Sequence, residues 1–250
     1  MKKYLGQHFL KNKKILEEIA RLAGLSKKPA RAGGDIVLEI GSGHGELTEF
    51  LAQAAGKVIA VEKDRELIPF LEEKFKNQKN VKIISGDILK IRNLRVKNYK
   101  IVANIPYYIT SRFLRTFLEA NPPTGGKPKF MVLMVQYEVA KRICAKPPEM
   151  NLLALSVQAY GQPKFIRKVS RGNFSPPPEV DSAIIKLSNI QCLTLPRKFW
   201  ELTRRAFQQK RKMLRHSLGT KNKLPEKYQT KRPQELSFKD WAGIYRKSVL

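Results

Sequence analysis

Two spacings alternate along the first three quarters of the chain. The helical one appears first, at Ile15, Leu16, Ile19, Leu22 and Ala23, where apolar residues recur every three or four positions. Gly24 and the stretch 27–34 end that helix. DIVLEI (35–40) is a short apolar run of strand length; the glycine-rich turn GSGHG (41–45) follows it, and a helix is predicted over 46–55. KVIAVE (57–62) reads as the second strand. Asp64 opens the next helix, with Leu67, Ile68 and Leu71 on its buried side. VKIIS (81–85), KIVAN (100–104) and FMVLMV (130–135) predict three more strands, with helices over 110–118 and 139–144. Residues 152–160 fit helix or strand equally. Segments 165–169 and 183–187 read as strands closing one edge antiparallel. Such alternation predicts an α/β fold, a mostly parallel, doubly wound sheet with right-handed crossovers.

Beyond residue 190 the strand-like runs stop. Segments 199–207, 213–218 and 238–245 carry helical spacing with basic exposed faces. Residues 191–250 are therefore expected to form a small helical domain beside a catalytic domain of residues 1–190. Charge changes at the same place. The chain has 49 Lys and Arg against 21 Asp and Glu, a net charge of +28, far above the magnitude of about 2–8 that suits a small soluble domain. The last 61 residues hold 16 basic and four acidic side chains, more than twice the net charge per residue of the rest. Such a body implies a polyanionic partner, nucleic acid or an anionic membrane surface. The tail helices are too broken for a membrane-surface helix. The longest apolar run, residues 130–135, falls far short of the roughly 20 residues that span a bilayer. A hydrophobic share of 42% provides for a sizeable core, which excludes a disordered basic tail. The basic N-terminus is not followed by an apolar segment, so no secretory signal is expected. Cys144 and Cys192 lack metal-ligand neighbours and fit a reducing cytoplasm, without zinc or disulfide.

Chemistry is concentrated at the strand ends. Glycines at 41, 43 and 45 let the backbone turn sharply and approach a ligand, and open α/β sheets bind ligands beyond their strands' carboxyl ends. By itself such a turn is weak evidence. The second strand ends in Glu62, about twenty residues after Gly41, where an acid binds the hydroxyl pair of a ribose. The third is followed by Asp87, placed to accept hydrogen bonds from an adenine amino group. Each acid alone could equally cap a helix; three such features at successive strand ends point to a nucleoside cofactor. The turn lacks the GxGxxG order of a dinucleotide site. The fourth strand ends in Asn104-Ile105-Pro106-Tyr107. An exocyclic adenine nitrogen is a poor nucleophile because its lone pair is delocalised into the ring. The Asn104 amide oxygen and the Ile105 carbonyl can each accept one of its N–H groups, Pro106 stiffens the loop, and Tyr107 offers a stacking face worth about 1–3 kcal/mol.

With these motifs in place the sequence resembles the KsgA family of ribosomal RNA adenine dimethyltransferases over nearly its whole length. GQHFL (6–10), LEIGSGHGELTEFL (38–51), VIAVEKD (58–64), ISGDILK (84–90) and NIPYYIT (104–110) are similar to its successive motifs, as are NFSPPPEVDSAIIKL (173–187), FQQKRKMLRHSL (207–218) and KRPQELSFKDW (231–241). The resemblance implies a class I methyltransferase fold using S-adenosylmethionine, a Rossmann-like sheet with a C-terminal helical domain. It implies cofactor contacts from His8, Leu10, Gly41, Glu62, Asp87 and Asn104. The catalytic group would be Asn104, Ile105, Pro106 and Tyr107, with Phe174 on the other side of the adenine. The chain departs from the family's usual pattern at His8, commonly Asn, and before Leu155, where a Tyr-Gly pair is common.

The expected activity is dimethylation of N6 on two adjacent adenosines near the 3′ end of small-subunit rRNA, by a cytoplasmic monomer. Lys210, Arg211, Lys212 and Arg215 are the expected grip on the RNA backbone. The alternatives are an Erm-type enzyme acting on large-subunit rRNA, a non-catalytic RNA-binding assembly factor, and a DNA adenine methyltransferase. The last would need an inserted sequence-reading domain, and the assembly factor would show decay of the strand-end motifs.

Overall fold

Most of the strands are apolar throughout because helices cover the sheet on both faces. The computed structural model describes residues 8–91, 94–119, 122, 124–219 and 224–249. In chain order the elements are β1 (Phe9–Leu10), α1 (Lys13–Leu22), β2 (Ile36–Ile40), α2 (Glu46–Ala54), β3 (Lys57–Glu62), α3 (Ile68–Phe75), β4 (Val81–Ser85), β5 (Tyr99–Asn104) and α4 (Thr110–Leu118). Then come β6 (Met131–Gln136), α5 (Tyr137–Ile143), α6 (Leu152–Gln158), β7 (Gln162–Val169), β8 (Phe174–Ser175) and β9 (Ser182–Ser188). The chain continues through α7 (Arg197–Gln208), α8 (Leu214–Leu218), α9 (Glu226–Gln229) and α10 (Phe238–Val249).

Seven strands form one sheet in the order β4-β3-β2-β5-β6-β9-β7. The first five positions are parallel; β9 and β7 close the edge antiparallel, as expected for segments 165–169 and 183–187. Strand order reverses between β2 and β5, which opens a crevice at their carboxyl ends. On one face, α1 and α2 pack Ile15, Leu16, Ile19, Leu47 and Leu51 against Val37, Val58, Val102 and Val132. On the other, α4 and α5 pack Phe113, Phe117 and Ile143 against Leu38, Ile101 and Leu133.

Three local results differ from or sharpen the sequence reading. Helix α3 starts at Ile68, four residues later than expected, with Pro69 in its first turn. Asp64 instead takes the Glu66 amide at 3.1 Å in a tight turn. Residues 152–158 are helical: the Asn151 side chain caps α6 by accepting the Ala154 amide at 3.0 Å. Residues 9–10 and 174–175, too short to carry a period, pair as a separate two-stranded ribbon.

Lys100 on β5 is buried. Its ammonium lies 2.9 Å from Asp35 and donates to the Ala23 and Gly24 carbonyls at the end of α1, at 3.3 and 2.9 Å. The helices after β9 share an apolar cluster with α6, where Phe199, Leu214, Leu218 and Trp241 meet Met150, Ala154 and Leu155.

Candidate active site

The crevice at the strand reversal is a cleft of about 1020 Å³ counted to its open mouth, walled by the ends of β2, β3, β4 and β5 and by the residue 8–10 strap. The glycine turn forms one wall. Gly41, Gly43 and Gly45 have φ of +72°, +58° and +78°, conformations costly to side-chain-bearing residues. A Cβ on Gly43 would stand 2.7 Å from the Phe9 ring. The Gly43 amide donates to Glu62 at 2.8 Å, and the Asp64 amide donates to the other Glu62 oxygen at 2.8 Å. Glu62 is thus aimed and 5% exposed, and each oxygen keeps a lone pair for a hydroxyl.

Asp87 accepts the Leu89 amide at 3.0 Å, and its second oxygen lies 3.4 Å from the Lys63 ammonium. That ammonium also sits 5.9 Å from the Tyr108 ring centroid. Asn104 donates its Nδ2 to the His8 carbonyl at 3.2 Å. This fixes the amide and leaves Oδ1 without a protein partner among the described residues. Ile105 is buried, its amide donating to Met134 at 3.2 Å. The Tyr107 hydroxyl lies 2.6 Å from Ser182 Oγ on β9, and burial holds it above the usual phenol range.

The cleft therefore brings together His8, Leu10, Gly41, Glu62, Asp87, Asn104, Ile105, Pro106 and Tyr107. It does not include Phe174. That ring is 5% exposed and packs among Leu10, Ile15 and Leu16 beneath the strap, because β8 pairs Phe174 with Leu10. The surroundings of Phe174 are core, and its pairing with Leu10 ties it to the strap. His8 stands beside the cleft with a partner of its own. Its Nδ1 lies 3.0 Å from the Pro176 carbonyl, which can only accept; in the neutral ring Nδ1 then carries the proton and Nε2 is an acceptor. The ring stacks at 5.9 Å on Tyr107. Gly6 and Gln7 of the GQHFL motif lie outside the described residues. Lys210, Arg211, Lys212 and Arg215 are all exposed, far along the chain from the cleft walls.

Two cleft residues in the segment 39–45 were given no role of their own by the sequence. Glu39, on β2, is 1% exposed and accepts the Thr48 hydroxyl at 2.6 Å. Burial pushes its carboxyl up to about 8, with Glu62 and Glu46 adding to the rise. Its signal was present: an acid inside a strand covered on both faces. Ser42 Oγ is buried with no hydrogen-bond partner among the described residues, which suits a group that bonds a ligand.

The family profile for "Ribosomal RNA adenine dimethylase" matches residues 1–237. The chain belongs to this dimethylase family. It is 46% identical over 226 residues to the ribosomal RNA small subunit methyltransferase A of Dehalococcoides mccartyi strain 195, covering 87% of this chain and 74% of that one. The protein of the same name from Moorella thermoacetica is 40% identical over 240 residues, covering 88% and 79%. Among solved structures, a dimethyladenosine transferase from Plasmodium falciparum superposes with a TM-score of 0.80 at 26% identity, covering 97% of this chain and 99% of its own. The 23S rRNA methyltransferase ErmE superposes at 0.76 and 24% identity over 97% and 100%, a likeness of fold. The dimethylase fold here is that of the class I methyltransferases, with a Rossmann-like mixed sheet.

Proposed function

We propose that the protein dimethylates N6 of two adjacent adenosines near the 3′ end of small-subunit rRNA, using S-adenosylmethionine. On this reading it acts as a cytoplasmic monomer on a small-subunit precursor during ribosome biogenesis. The observation that carries the reading is the Asn104 amide: its nitrogen is engaged by the His8 carbonyl, so its free oxygen is an acceptor in the cleft. The names of the 40–46% identical relatives supply the substrate class.

The cleft residues fit this cofactor. Glu62 retains lone pairs for a ribose diol, Asp87 stands at the next strand end, and the positive-φ turn at Gly41 and Gly43 lets backbone approach closely. S-adenosylmethionine, when bound, supplies a methyl group on a positively charged sulfur. The chain's own part is to hold the adenine nitrogen. Asn104 Oδ1 and the Ile105 carbonyl accept its two N–H groups and draw the lone pair out of the ring. Such pre-aimed dipoles give most of the barrier reduction without a general base. Each transfer releases one N–H proton to solvent; after the first, the nitrogen keeps one N–H, and one acceptor still holds it. Tyr107 presents a ring whose hydroxyl is pinned by Ser182. The target base leaves its stack to reach this pocket.

The test is labelled methyl transfer to undermethylated small subunits, with large subunits in parallel and Asn104→Ala as control. Dimethyladenosine in small-subunit rRNA alone supports the reading. Transfer to large subunits alone would move the enzyme to the Erm type. No transfer to either, or an unaffected Asn104→Ala protein, overturns it.

A further inference from the structure

Helix α4 joins two recesses. Tyr107, Tyr108 and Ile109 form a single 3₁₀ turn at the cleft that runs directly into Thr110. The nine residues of α4 then advance about 13 Å. Phe113, Leu114, Phe117 and Leu118 face the core. Arg112 and Arg115, three apart on α4, share one outward stripe, and Tyr108 is exposed in the turn that precedes it. Tyr108 is 56% exposed at the cleft mouth.

At the far end of α4 lies an open recess of about 590 Å³, counted to its mouth. Glu119, Tyr160, Leu195, Trp200 and Arg204 are among its walls. Trp200 is half-buried there, tilted against Tyr160 with ring centroids 6.4 Å apart. Arg204 is exposed beside it. Glu119 is the acid among the described wall residues, 3.6 Å from the Arg115 guanidinium, and burial raises its carboxyl above the usual range. Cations suit a phosphate, an indole suits a base face, and a carboxylate suits the N–H donors of a base edge.

On the reading that the substrate is rRNA, we propose that this recess is a second RNA site that takes one unpaired nucleotide of the substrate, with Arg112 and Arg115 carrying phosphates between it and the cleft. The carboxylate sets a preference: bases with an amino group are accepted, and uracil, which presents a carbonyl there, is disfavoured. The site anchors the RNA beside the reacting adenosine, so it acts on substrate capture.

The two tryptophans make the test direct, because Trp241 is fully buried and Trp200 lines the recess. The full chain is titrated with hexacytidylate and with hexauridylate while tryptophan fluorescence is followed. The site requires saturable quenching by hexacytidylate, at least severalfold tighter than by hexauridylate, and loss of the quench in Trp200→Phe. Arg204→Gln and Arg112→Gln, both exposed changes, should each weaken binding about three- to tenfold and raise KM for undermethylated small subunits while kcat holds. Absence of saturable quenching, equal quenching in Trp200→Phe, or an unchanged KM in Arg204→Gln overturns the second site while leaving the methylation reading intact. If the wild type methylates no small subunit, the functional reading fails, and the hexacytidylate titration still decides the recess by itself.

Discussion

On the proposed reading, Asn104 serves the reaction because one end of its amide is already occupied. The His8 carbonyl takes Nδ2 at 3.2 Å, so rotation that would present a donor to the adenine amino group breaks a bond. Asn104→Ala should lower kcat by about 10²–10³, the usual cost of removing one pre-aimed dipole, with the far-ultraviolet circular dichroism unchanged. Glu39 makes a different prediction. Its carboxyl ordinarily titrates at 4.5 and is pushed up to about 8 by burial. The folded state therefore holds a proton that the unfolded chain releases between those values. The associated stability is full below 4.5 and is lost as pH rises through about 8. Glu39→Gln keeps an acceptor for Thr48 and cannot ionise. Thermal melts from about pH 5 to 9 should show a steeper fall for wild type than for Glu39→Gln; parallel curves would refute the buried-acid account.

At the scale of elements, the strap and the glycine turn hold each other. Phe9 fills the space above Gly43, Lys11 reaches Glu46 at 2.9 Å, and Phe174 packs under Leu10. Gly43→Ala meets both a left-handed backbone and the Phe9 ring, a strain of about 1–3 kcal/mol. It also disturbs the amide that aims Glu62. Cofactor affinity measured by calorimetry should fall about tenfold or more. Elsewhere, Lys100 ties β5 to the end of α1. Removing its charge leaves the half-buried Asp35 with the Ser26 amide but no cation, so Lys100→Met should cost about 1–3 kcal/mol in denaturant unfolding. The strap was only partly legible in the sequence. Its motif was visible at residues 6–10, but two-residue strands carry no period, and their partner lies some 165 positions away.

For the whole molecule, the +28 charge governs how it meets a polyanion. Lys210, Arg211, Lys212 and Arg215 are exposed and, among the described residues, form no ion pair with an acid. Changing all four to Gln should flatten the dependence of log binding constant on log salt by about 0.7–0.9 for each phosphate no longer neutralised. Cofactor affinity should stay as in wild type. A fall in cofactor affinity would make the basic stretch a structural support.

Period and composition determined the α/β alternation, the basic helical tail and the strand-end positions of Glu62, Asp87 and Asn104, because these are local properties written in neighbouring residues. Tertiary structure decided what long-range pairing controls. It placed Phe174 under the strap and out of the cleft, gave His8 a carbonyl partner at Pro176, and made 152–158 a helix by packing it against the tail. It also buried Glu39 deep enough to keep its proton near neutral pH. A side chain's chemistry follows from its type; its partner, its burial and so its protonation depend on which distant segment folds over it.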